Sequence, residues 1–172
     1  MAFQSAVRNR IANGIPGELA FDGPLRADPA VVNTTPETNN VFGRAFTIVT
    51  NPDPVAQKST IVRAGGTGVF YGLLSNPKEH VNMSGSAYTA EFYLRNGRVA
   101  SFVSMGRVYV DFDIASTPGM QVAFNNTTGA LVPIAAGGSA GAGETLIAGA
   151  EVIRYLGSVT APYNGLAVVE LT

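Results

Sequence analysis

From residue 41 onward the chain alternates between short apolar runs and clusters of turn-forming residues. "FGRAFTIVT" (42–50) is rich in β-branched and aromatic residues and stops at "NPDP" (51–54), whose prolines end a strand. "GVFYGLL" (68–74) is bounded by "AGGTG" and "SNPKE". In "AEFYLRNGRVASFV" (90–103), Asn96-Gly97 sits between apolar runs, as a two-residue type I′ hairpin requires, because both central positions need positive φ. In "GRVYVDFDI" (106–114) period-two alternation puts Val108, Val110, Phe112 and Ile114 on one face and Arg107, Tyr109, Asp111 and Asp113 on the other. "MQVAFNNTTGALVPI" (120–134) reads as a hairpin with Met120, Val122 and Phe124 on one face and "NTTG" turning. "EVIRYLGSV" and "GLAVVELT" complete the set. No segment sustains helical periodicity, so the pattern predicts an all-β protein, a small β-barrel or sandwich that buries one face of many short strands.

Residues 1–45 are patterned differently. Pro16, Pro24, Pro29 and Pro36 recur among Gly14, Gly17, Gly23 and "NTTPETNN" (33–40), which favours turns and extended pieces and forbids a long helix. This predicts an extended, proline-rich N-terminal arm over 1–45 and a β-barrel or sandwich domain over 46–172. Phe3, Val7, Ile11, Leu19, Phe21, Val31 and Val32 are costly to leave in water, so the arm is expected to lie on the domain or on a neighbour. "AAGGSAGAGE" (135–144) has linker composition, but too few residues follow it for a second core; it reads as a loop between strands.

Composition narrows the function classes. A chain of 172 residues buries roughly 70% of its unfolded surface. With no cysteine, disulfides, thiolate metal sites and cysteine nucleophiles are excluded. Eleven basic and twelve acidic side chains give a net charge of -1, which offers no field to attract phosphate, so nucleic acid is not an expected partner. Only 13% of residues are charged, against roughly 25% in ordinary soluble domains. Between Ile114 and Gly143 there is no charge at all, yet "FNNTTG" and "GGSAGAG" interrupt that stretch and no membrane span is predicted. The opening "MAFQSAVRNRIANG" has no apolar run suited to a secretory signal, so a soluble, non-secreted protein is expected. A neutral surface of small residues suits a subunit docked in an assembly, and equally an ordinary neutral β domain.

Candidate chemistry is sparse. Asp111 and Asp113, at i and i+2 on one strand face, would sit roughly 7 Å apart, a spacing open to a hydrolytic pair or a hard cation. Nothing nearby supplies further oxygen ligands and Arg107 is a ready partner, so the polar face of a strand is the expectation. His80 is the single histidine, and neither Ser84 nor Ser86 stands in a "GxSxG" context, so a surface or interface role is expected. "RAGGTGVF" (63–70) lacks the P-loop lysine and leads into a strand where an anion would need a helix N-terminus; its glycines predict a bulge, a turn or close backbone approach. Asn33, Asn82, Asn125 and Asn126 begin Asn-x-Ser/Thr triplets, chance matches without a secretory signal. Arg8 and Arg10 are too small a cluster to bind nucleic acid. No catalytic residue, metal or cofactor is assigned.

The order of segments carries more than any one of them. "MAFQSAVRNRIANGIPGELAFDGPLRA", "FGRAFT", "GGTGVFYGLLSNPKEH", "GRVYVDFD", "PGMQVAFNNTTGALV" and "APYNGLAVVELT" together resemble the bacteriophage structural cement proteins, a family of head decoration proteins, over essentially the whole chain. The resemblance implies a β-rich domain with an N-terminal segment that binds the outside of an assembled icosahedral capsid as a homo-oligomer and holds neighbouring capsomers together. It implies the major capsid protein as partner, a place on the outer surface of the virion after synthesis in the bacterial host cytoplasm, and no catalytic residue. Local threefold positions of a shell favour a trimer over a dimer. Phe3, Val7, Ile11 and Phe21, with Arg8 and Arg10, are the expected contacts to shell or sister subunit, being apolar and basic residues on a segment with no core of its own. Two other classes stay open: a tail, baseplate or carbohydrate-binding β module, although the chain has no Trp and six Tyr, and a small hydrolase or metal enzyme built on Asp111, Asp113 and His80.

Overall fold

The computed structural model of the protein describes residues 14–20, 23–49, 60–76, 93–157 and 165–172. Among them the chain forms nine strands: β1 (Arg26–Val32), β2 (Ala45–Ile48), β3 (Ile61–Ala64), β4 (Phe70–Leu74), β5 (Val99–Asp111), β6 (Gln121–Asn125), β7 (Leu131–Ile134), β8 (Glu144–Gly157) and β9 (Leu166–Leu171). The hydrogen-bonded order is β1-β3-β2-β4-β5-β9-β8-β6-β7, with β1 also paired to β5. That extra pairing closes β1, β3, β2, β4 and the first half of β5 into a five-stranded barrel and removes its open edges. The β1–β3 pair is parallel, Val31 opposite Ile61; the other pairs are antiparallel.

β5 belongs to both halves of the molecule. Val99 to Met105 face β1, Val99 opposite Val31 and Met105 opposite Arg26, whereas Gly106 to Asp111 pair with β9. The change of partner falls at Gly106, whose φ of +127° is closed to most L side chains and whose added Cβ would lie 3.2 Å from Leu25 Cδ1 and the Pro24 carbonyl.

Two apolar clusters follow from this layout. Inside the barrel Val32, Phe46, Val62, Leu74, Leu94 and Phe102 are buried, with Phe46 and Phe102 rings 5.0 Å apart and Tyr71 edge-on to Phe102 at 5.6 Å. Strand alternation turns Leu73 and Val103 to the outside of the barrel. There they pack with Val108, Val110, Phe112, Val122, Phe124, Val152 and Val169 of the second sheet. β4 is therefore covered on both faces at Gly72–Leu74, where consecutive buried residues replace alternation, whereas the first half of β5 keeps exposed positions at Val99, Ser101 and Met105.

The all-β barrel expectation holds, and so do the β6–β7 hairpin, with Phe124 opposite Leu131, and the close-approach reading of "RAGG". Gly65, at φ +65°, donates its N–H to the Ala45 carbonyl at 2.9 Å, and a Cβ there would stand 2.7 Å from the Asn126 carbonyl. Gly129 would bring a Cβ within 2.5 Å of the same Ala45 oxygen. Three backbones thus cross where a side chain has no room.

Two local expectations are corrected. Asn96-Gly97 does turn, with Gly97 at φ +78°, but no hairpin forms across it among the described residues. Tyr93 bridges Val41 and β5 pairs with β1, because Asn96 spends its amide on a distant loop. Its Oδ1 accepts the Thr34 N–H and Asn40 Nδ2–H, both at 2.9 Å, while its Nδ2 donates to the Thr34 carbonyl at 2.8 Å. Ile114 leaves the apolar face and is 55% exposed, since β5 ends at Asp111 and alternation ends with it. Within 1–45, the described part is built into the sheets. Arg26–Val32 is β1, with Ala30 and Val32 buried, and residues 17–20 run along β5, where the Gly17 N–H meets the Tyr109 carbonyl and the Ala20 N–H the Arg107 carbonyl, both at 2.8 Å. The outer edge of β5 needs hydrogen-bond partners beside β9, and this segment supplies them.

Candidate interaction surface

The polar face of β5 is partnered within the fold. Arg107 Nε meets Glu170 Oε1 on β9 at 3.0 Å, so the arginine expected beside the aspartates pairs with the neighbouring strand instead. Asp111 Oδ1 accepts the Gly165 N–H at 3.0 Å and fixes the start of β9. Asp113 lies beyond the strand end, exposed, and its charge reaches Arg44. Arg44 is held by the Asn39 side chain at 3.3 Å and the Thr128 carbonyl at 3.2 Å; burial pushes its pKa down, and Asp113 works the other way. Each carboxylate thus has a neighbour of its own, and among the described residues no three His, Cys, Asp or Glu side chains gather as metal ligands.

The expected contact residues Phe3, Val7, Arg8, Arg10, Ile11 and Phe21 lie outside the described residues, as do His80, Ser84 and Ser86. What the structure adds is a surface formed by described residues. A groove of about 1000 Å³ is lined by residues 19–20 and 23–25 together with residues of β5 and β9. Leu19, Leu25 and Met105 line it at 42%, 50% and 40% exposure, with Leu171 and the Arg107–Glu170 pair also in its lining. Exposed large side chains collected in one groove differ from the same number scattered singly. Leu25 and Met105 escaped the sequence reading; the one available signal was Met105 interrupting the alternation of β5 just before Gly106.

A second, polar cleft of about 440 Å³ opens between β3 and the β6–β7 turn, bordered by the loop after β1. Hydroxyl and amide groups line it, with Arg63 as its one charged residue.

A family model described as "Structural cement protein (E217 gp24/Pam3 gp6)" matches residues 3–172. The chain belongs to this family. It is a structural cement protein, a capsid-stabilising virion component of a bacteriophage, and the family is one of structural proteins. Among solved structures, a chain from "The capsid of Myoviridae Phage XM1" is similar over 100% of this chain and 98% of its own, with a TM-score of 0.60 at 17% identity; the likeness is one of fold. No curated protein matches. For this cement protein the match spans both the barrel and the second sheet.

Proposed function

We propose that this cement protein binds the outer surface of the assembled icosahedral shell as a homo-oligomer, trimer ahead of dimer, and bridges neighbouring copies of the major capsid protein after synthesis in the host cytoplasm. The observation that carries the reading is the family match over residues 3–172. The apolar groove lined by Leu19, Leu25 and Met105 supports the choice of docking side, because its exposed side chains share the apolar character that Phe3, Val7, Ile11 and Phe21 have in the sequence. In this reading the docking contacts are those of residues 1–13 and Phe21, with Arg8 and Arg10 meeting acidic groups, while residues 17–20 and β1 serve the framework.

The mechanism is linkage. A protein that binds the assembled lattice and not its dissociated subunits stabilises the lattice by about 2.7 kcal/mol per site at a hundredfold excess over Kd. Repetition over the shell multiplies that term, and an oligomer with several arms gains effective concentration once one arm is docked.

The test is cosedimentation with empty expanded capsids prepared without the protein, followed by heating of the decorated shells. Saturable binding and later heat disruption are the expected result. Deleting residues 1–13 leaves the β5 edge partners in place and is expected to abolish binding; unchanged binding would sink the arm assignment.

A further inference from the structure

We propose that the polar cleft beside β3 receives a carboxylate side chain of the protein partner, with Arg63 as its receptor. The partner's identity rests on the capsid reading above; the carboxylate chemistry comes from the cleft itself. Asn33, Thr35, Arg63, Thr67, Asn126 and Thr127 line it, drawn from three stretches of the chain that the fold brings together, and none of its lining residues is acidic.

Several of the cleft's oxygens already accept within the fold. Thr34 Oγ1 accepts the Ala64 N–H at 2.9 Å, Asn126 Oδ1 accepts the Thr145 hydroxyl at 2.7 Å, and the Asn126 carbonyl accepts the Gly66 N–H at 2.6 Å. The other threonine hydroxyls and the Asn33 amide can donate or accept, whereas the Arg63 guanidinium only donates and carries the single charge among the described lining residues. Such a lining favours an anion over a cation.

Arg63 is held for this role by a glycine. A Cβ on Gly66 would stand 2.7 Å from Arg63 Nε and 3.0 Å from Nη2, so the guanidinium lies where any other residue would put its side chain. It is exposed, and among the described residues no hydrogen bond or ion pair engages it.

The choice of anion follows from charge and geometry. Gly65 and Gly66 point their N–H groups inward, to Ala45 and Asn126, so the loop builds no backbone cradle for a phosphate. One planar guanidinium offers one charge and a two-pronged fork, which a carboxylate matches. A chain with net charge -1 has no wider basic field with which to hold a polyanion.

The experiment compares the parent with Arg63→Glu, Arg63→Gln and Arg63→Lys for binding to capsids prepared without the protein, with melting curves as a check on folding. Arg63→Glu is expected to weaken binding by about tenfold or more, Arg63→Gln by less, and Arg63→Lys to keep part of the affinity because it keeps the charge and loses the fork. Parent-like binding by a folded Arg63→Glu protein overturns the proposal and leaves the capsid reading standing. If the parent itself does not bind shells, the capsid reading falls and the cleft is judged by NMR, titrating a tetraglutamate peptide against tetraglutamine. Movement of the Arg63 Nε–H signal with tetraglutamate alone supports the carboxylate site. An equal response to both peptides, or none, overturns it.

Discussion

The barrel and the second sheet share a strand but differ in how they are finished: a short turn joins β6 to β7 in one, and β1 closes the other from a distance. In the second sheet, consecutive strands pair: β6 with β7 through the Asn125–Gly129 turn, and β8 with β9. In the barrel, β1 lies parallel to β3 and antiparallel to β5, and its end is closed by side chains, with Asn96 tying Thr34 and Asn40 across more than fifty residues of chain. Local turn chemistry therefore builds the β6–β7 hairpin. Closure of the barrel by β1 depends on partners that become neighbours only after long loops close, which is the slower and entropically costlier route.

The comparison is tested most severely by the two cores. Phe102→Ala, which empties the space between Phe46 and Tyr71, and Phe124→Ala, which removes a fully buried ring beside Phe70, are each expected to cost about 3–5 kcal/mol in urea unfolding. Both variants should unfold in one transition, because Leu73 and Val103 carry the barrel into the second core. Two separated transitions would show that the halves are independent.

Next in size is the crossing point. Gly129→Ala meets the Ala45 carbonyl at 2.5 Å and is strained at φ +72°, whereas Gly137→Ala, at φ +74° with nothing within 4 Å, has only the backbone strain. The control is expected to cost about 1–2 kcal/mol and Gly129→Ala distinctly more. Equal costs would mean the contact between barrel and hairpin relaxes freely.

Asn96→Ala removes the ties to Thr34 and Asn40 and leaves buried polar groups unpaired, an expected loss of about 1–3 kcal/mol. Amide exchange should accelerate at Leu94 and Gly97 and not in the β6–β7 hairpin. Uniform acceleration would argue against a local closure of the barrel.

The smallest effect concerns pH. Burial, then the charge of Asp28, holds the Tyr71 phenol above its ordinary pKa. The folded state thus keeps this proton more tightly than the unfolded chain. Its contribution is fully present below about pH 10 and is lost as pH rises through the folded value. Tyr71→Phe, which also gives up the 3.1 Å bond to the Pro29 carbonyl, should show a shallower alkaline decline in melting temperature; an unchanged slope would refute the assignment.

What the sequence revealed follows the same division. Alternation located Val108, Val110 and Phe112 on the buried face, and "NNTTG" marked a hairpin, because both signals are local. Asn96-Gly97 carried the same kind of signal and misled, since nothing nearby shows that Asn96 bonds to Thr34 sixty-two residues away. β1 was hidden among prolines: Pro29 sits inside it, and its pairing with β5 and β3 makes it a strand. The glycines of "RAGG" announced close approach without saying to what. The groove was illegible for a related reason. Leu19, Leu25 and Met105 come from two distant stretches, and their exposure depends on where the 17–20 segment docks.

β5 has a mechanical consequence. A force that draws the barrel away from the second sheet along this strand is borne by a continuous covalent chain, gripped by β1 on its first half and by β9 on its second. Both ladders are then loaded in shear, so their hydrogen bonds share the strain and do not open one at a time. A capsid-stabilising protein gains from having its two halves riveted to one rod.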